Sequence, residues 1–246
     1  MLRLVDPAVA MFPAHGTSLS DPWSHLSQCS TLQSAVEQVA EIYEFQWHPY
    51  FIWMQSISSD RGQFVRSQVP FQYAIEAFSQ AFVMVFDRAE MTQQAAEPSI
   101  IQPSNNAPSP PQLAFQRCLQ SLETRADLAK TCPIEIAAAN HHILNHCLTQ
   151  SVESGAALLG MIEYLYVDIS ATISQIIQQR DWADCNSDFY YMIHEALEIN
   201  PNRDLLTLAN RTWHDPQSRR QTAQSLMLGA QYLWEMYDGL YPDPLD

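Results

Sequence analysis

An all-α domain is predicted for this chain, and three features of its sequence predict it. Only six glycines stand in 246 residues, too few to supply the tight turns of a sheet, while Ala, Gln, Leu and Ile abound as helix formers. Apolar residues recur at helical spacing over long stretches. Hydrophobic residues make up 47% of the chain and aromatic residues 11%, enough apolar area to offset the entropy of ordering one substantial core. One helical domain of seven or eight helices is the expectation.

Residues 1–30, with Pro, Ser and Gly and no sustained period, read as an extended N-terminal arm, which leaves 31–246 for the helical domain. Thr31 or Ser34 caps a helix running to Glu44, in which Val36, Val39, Ala40 and Tyr43 recur at helical spacing. The WHPYFIWM segment begins a new turn at Pro49. Residues 64–90 read as one core helix bent at Pro70, with Phe71, Ile75, Phe78, Phe82, Val85 and Phe86 on its buried side. Over 91–111, five prolines among repeated Ser and Asn rule out a continuous helix and mark a long loop. Helices are expected at 113–122 and 134–166, the second broken near 151–155, and then at 169–179, 188–199, 204–210 and 215–237. Pro201 ends one of these, and Asp215-Pro216 supplies a capping residue followed by proline at the first helical position.

Charge excludes some partners. Twelve Lys and Arg against 27 Asp and Glu leave a formal charge of −15, which repels a phosphate backbone, and the basic residues are scattered apart from Arg211, Arg219 and Arg220. Nucleic acid and membrane surfaces are discounted on this ground. Five cysteines (Cys29, Cys118, Cys132, Cys147 and Cys185), odd in number and without a CxxC pair, fit neither a zinc site nor a disulfide framework. They point to a reducing compartment, the cytoplasm. MLRLVDPAVAMFPAHG, with one Arg and an apolar stretch broken by two prolines, makes a poor signal peptide. No apolar run approaches the roughly 20 residues of a membrane span.

Three groups of residues could carry chemistry. GAALLGMIEYLYVDIS places Glu163 among apolar and aromatic residues, where an unpaired carboxylate is costly and calls for a metal, a cation, a hydrogen-bond network or a raised pKa; an exposed strip of an amphipathic helix is the plainer reading. His194 and Glu198 stand at i and i+4, the spacing by which one helix face offers two ligands to a metal, and also that of an ordinary surface pair. In NHHILNHC, His142 and His146 share this spacing, and Glu135 precedes His142 by seven residues, which brings both to one stripe. These histidines serve equally as a polar helix face. No cysteine or serine lies in a context that would activate a nucleophile, and no phosphate-binding glycine loop is present.

The segments GAALLGMIEYLYVDIS, FYYMIHEALEINPNRDLL and QSLMLGAQYLWEMYDGLY, with WHPYFIWM and FQYAIEAFSQAFVMVF upstream, resemble the heme-oxygenase-like superfamily, which includes TenA, PqqC and CADD. Among its members the CADD-like di-iron oxidases look most similar. The resemblance spans most of residues 40–240 and implies a heme-oxygenase-like helical bundle. In those oxidases the metals are held by a Glu-x6-His helix, a lone Glu and a His-x3-Asp-x2-His helix. Glu163 stands where the lone Glu would be, and His194 and Glu198 stand for the first two members of the last motif, with Pro201 in place of the final His. The first motif would fall in the Pro-rich segment 104–111, which has neither residue type; Glu135 and His142 have its spacing on a later helix.

Two functions follow from the resemblance. One is an iron-dependent oxidase or oxygenase acting on a small acid or amine, with Glu163, His194 and Glu198, joined by His142 or Asp168, around one Fe(II) or, with the Glu135 helix recruited, two. The other is a metal-free member of the fold, without oxidase activity, in which Tyr164, Tyr166, Tyr190 and Tyr191 line a pocket for an aromatic or heteroaromatic molecule. The expected partner in both is a small molecule, with a homodimer left open.

Overall fold

In the computed structural model, residues 25–94, 132–182 and 205–241 are described. They hold eight α-helices and no strand: α1 Leu32–Ile42, α2 Pro49–Gln55, α3 Arg61–Gln68, α4 Phe71–Gln94, α5 Ile134–Thr149, α6 Val152–Gln179, α7 Leu205–Asn210 and α8 Pro216–Asp238. Short 3-10 turns at Leu26–Gln28 and Phe45–Trp47 flank α1. The all-α class read from composition is thus the class of the structure. The helices expected at 113–122 and 188–199, and most of the 91–111 loop, lie outside the described residues.

Local chemistry sets the helix starts. Thr31 accepts from the amide of Ser34, Asp60 and Gln63 form a reciprocal capping box, and Ser151 and Asp215 cap α6 and α8 through their side chains. His48 does the same for α2: its Nδ1 accepts the Tyr50 amide at 3.0 Å, with Pro49 at the first position.

Three boundaries differ from the expectation. The helix foreseen over 64–90 is two helices, α3 beginning at Arg61 and α4 restarting at Phe71, because Pro70 has no N–H to carry the ladder across Val69. The break foreseen near 151–155 falls at Gln150 and Ser151, and α6 then runs unbroken through Asp168, which projects outward and leaves nothing to interrupt the helix. The result is a 28-residue helix long and apolar enough to cross a membrane, contrary to the sequence expectation, but 67% of its most apolar window is buried inside the bundle. It is the central core helix, packed on α8, α7, α4 and α5. The third difference is at the N-terminal arm, whose end joins the core: Leu26 is fully buried where the first 3-10 turn meets α8.

Close approach of α6 and α8 depends on Gly229, where a β-carbon would stand 2.4 Å from the Leu158 carbonyl oxygen. Arginines close the helix ends. Arg88 on α4 donates to the carbonyls of Cys147 and Gln150 at the end of α5. Arg180, at the end of α6, donates to the carbonyls of Met54, Ser56 and Ser59 and stacks over Trp182 at 4.3 Å. Asp181 follows in the left-handed region at φ 52°, completing a Schellman turn in which Trp182 N bonds Ile177 O and Asp181 N bonds Gln178 O.

Candidate functional site

The interior end of the bundle, where α2, α3, the start of α4, α6 and α8 meet, gathers polar side chains into an aromatic core. Tyr50 is fully buried, and its hydroxyl lies 2.8 Å from Ser67 Oγ and 2.5 Å from Gln68 Nε2. Ser67 donates its own proton to the Phe64 carbonyl, so Tyr50 donates to Ser67 and accepts from the Gln68 amide. Tyr237 on α8 packs against Tyr50 and Phe51, with ring centroids 5.4 and 4.9 Å away, and against Phe71, which stacks on Tyr166 of α6 at 5.8 Å and 13°. Burial pushes the Tyr237 phenol well above its ordinary pKa, and the neighbouring Tyr166 and Tyr50 phenols push it further; burial raises Tyr50 likewise, against its hydrogen bonds to Ser67 and Gln68. Tyr50 and Tyr237 therefore stay protonated at neutral pH and offer neutral hydrogen-bonding hydroxyls.

Helical spacing on α6 extends this cluster. Glu163, Tyr166, Ser170 and Ser174 follow one another at intervals of three and four residues, on one stripe. Tyr166, Ser170 and Ser174 are buried. Ser170 is 0% exposed and its Oγ has no hydrogen-bond partner among the described residues, although a mid-helix serine can donate to the carbonyl four residues back. Glu163 itself is exposed at the edge of the stripe and has an interaction of its own. The expectation that its carboxylate is enclosed by apolar neighbours is corrected: the apolar residues around it in sequence turn inward, and the carboxylate reaches solvent.

The other candidates go elsewhere. Tyr164, two residues before Tyr166 and so roughly 200° around the helix, lies half-buried on another face. Asp168 is roughly 140° around from Glu163 and is exposed. Glu135 and His142 do share a stripe of α5, but both are exposed and turned to α8: the His142 ring stacks on Tyr232 at 5.5 Å, and Glu135 lies against Gly239. His146 meets Ser225 of α8, Nε2 to Oγ at 3.0 Å, and burial lowers its pKa. His194, Glu198, Tyr190 and Tyr191 lie outside the described residues. Among the described residues no three His, Cys, Asp or Glu side chains group as metal ligands. Glu163, Glu135, His142 and Asp168 thus do not fit a metal site among themselves. Cys147 is buried in α5, where burial raises its pKa to about 12, an inert thiol.

Sequence reasoning missed Tyr50, Gln68 and Tyr237. Their segments were visible as aromatic helices, but only the tertiary structure brings the Gln68 amide to a hydroxyl 18 residues earlier.

No protein-family model and no curated protein matches this chain in sequence. A solved structure matches in three dimensions: the TenA homologue from Pyrococcus furiosus, at a TM-score of 0.56 and 13% identity over 85% of this chain and 98% of that one. The chain has a TenA-like fold. In this TenA-like bundle, nearly the whole of the solved protein has a counterpart here, which bears out the heme-oxygenase-like architecture implied by the sequence resemblance. At 13% identity the match speaks for the fold alone.

Proposed function

We propose that the chain is a small-molecule-binding protein of the heme-oxygenase-like fold, and that its ligand is a neutral aromatic or heteroaromatic molecule at the tyrosine-lined face of α6. The observation that carries this reading is Ser170. A buried hydroxyl without a partner costs about 1–3 kcal/mol, which a bound molecule that accepts or donates at Ser170 would recover. One turn before it, Tyr166 stacks on Phe71, which packs against Tyr237, whose phenol burial keeps protonated, and such an aromatic setting suits a flat ligand that parts these rings. Glu163, one stripe-step from Tyr166, brings a carboxylate to the rim that can accept from a ring N–H or amino group.

The competing reading is an iron-dependent oxidase of CADD-like type acting on a small acid or amine, through Glu163, His194 and Glu198. Two measurements separate them. Crystals soaked with a set of neutral heteroaromatic fragments should show density against Ser170 and Tyr166, absent in Ser170→Val. Metal analysis after anaerobic Fe(II) loading should show no tightly held iron. One iron or more per chain, lost in Glu163→Ala and in His194→Ala, would replace the proposal with the oxidase reading.

A further inference from the structure

A groove of about 410 Å³ runs on the other side of α6 from Ser170, between that helix and the segment joining α1 to α2. Its volume falls in the range of small-molecule sites. Its two walls each carry one carboxylate: Glu44 from the segment before the Phe45–Trp47 turn and Asp168 from α6. The Glu44 carboxylate is held in place, its Oε2 accepting from Trp47 Nε1 at 2.7 Å and from Gln46 Nε2 at 3.2 Å. Apolar and aromatic groups lie between the walls, among them Tyr43, Phe45 and Ile169, and among the described residues no Lys, Arg or His lines the groove.

We propose that this groove is a binding site for an organic cation, a protonated or quaternary amine on a small apolar body. Two acidic residues on facing elements, with no cation from the described residues between them, set a negative potential that a positive centre satisfies and an anion does not. The half-buried Tyr43 ring attracts the same charge through its quadrupole, and the apolar part of the ligand covers the exposed parts of Tyr43 and Ala40. The fixed Glu44 carboxylate lowers the ordering cost of binding. This site is separate from the one proposed at Ser170, because Asp168 and Ser170 project from α6 roughly 160° apart.

The test uses the full chain, with benzylamine and benzyltrimethylammonium as cationic probes and benzyl alcohol as the neutral control, followed by calorimetry and ligand-detected NMR. Both cations should bind saturably at one site while benzyl alcohol does not. Asp168→Asn should weaken binding about fivefold, the scale of one solvent-exposed ion pair. Ala171→Arg, at an exposed lining position, should abolish binding by placing a cation in the groove, with an unchanged circular-dichroism melt to show that the fold persists. Equal binding of benzyl alcohol, or cation binding unaltered in both variants, would overturn the proposal. Cation binding lost in Ser170→Val but kept in Ala171→Arg would move the cation to the interior face and also overturn it.

Discussion

Gly229 of α8 faces the Leu158 carbonyl of α6 so closely that any side chain there would meet backbone rather than a movable side chain. Gly229→Ala should therefore push α6 and α8 apart. Overpacking of this kind costs about 1–3 kcal/mol or more. Gly62→Ala, whose β-carbon would meet only the ends of the Asp60 and Arg66 side chains, is the matched control. Equal melting temperatures for the two variants would show that α6 and α8 adjust freely.

Asp181 holds a left-handed conformation that glycine adopts at little cost. Asp181→Gly should leave the Schellman turn intact and stabilise the protein by up to about 1 kcal/mol, offset in part by the greater freedom of the unfolded chain. Urea unfolding with an unchanged m-value is the measurement. A loss of stability would mean that the Asp181 side chain contributes more than its backbone strain costs.

His146 predicts a pH dependence. Burial lowers its folded pKa below the ordinary 6.5, so the unfolded chain binds a proton more readily than the folded one. The stability contributed by the neutral ring is complete above about pH 6.5 and declines as pH falls through that value towards the folded pKa. Unfolding free energies at pH 7.5 and pH 5 should diverge in the native chain and converge in His146→Gln, which keeps a hydrogen-bonding group near Ser225. An unchanged slope in the variant would assign the acid sensitivity to other groups.

Tyr50→Phe removes one hydroxyl and leaves the buried Gln68 amide and Ser67 oxygen without the partner each has now. A cost of about 1–3 kcal/mol is expected. The double variant Tyr50→Phe, Gln68→Leu should be less destabilised than the sum of the single changes, since it removes both ends of one bond. Strict additivity would argue that Gln68 gains nothing from Tyr50.

Much of the helical frame is readable from the chain because its start signals are local: Thr31 and Asp215 cap, and Pro49 and Pro216 stand at first helical positions, whereas the Asp60 capping box and the full break at Pro70 were not read. The continuity of α6 through Asp168 was not readable, since a single outward carboxylate looks the same as a break. Site residues divide in the same manner. The apolar setting of GAALLGMIEYLYVDIS singled out Glu163, whereas its exposure depends on where its face of α6 meets the edge of the bundle. Tyr50 and Tyr237 are separated by most of the chain, and no local pattern distinguishes them from ordinary core aromatics.

The arginine clamps described at the helix ends bear on how the protein meets ionic strength. Arg61, Arg88, Arg180 and Arg219 donate to main-chain carbonyls of Trp182, Cys147, Gln150, Met54, Ser56, Ser59, Trp213 and His214, so among the described residues at least four of the chain's 12 basic residues are bonded to dipoles, against 27 acidic residues in all. Added salt weakens attraction between exposed opposite charges, but a partly buried guanidinium on a carbonyl is much less exposed to counter-ions. What salt chiefly relieves in this molecule is the repulsion among its own carboxylates. The folded state should accordingly gain in melting temperature as sodium chloride rises from low to physiological concentration, with these joints unaffected.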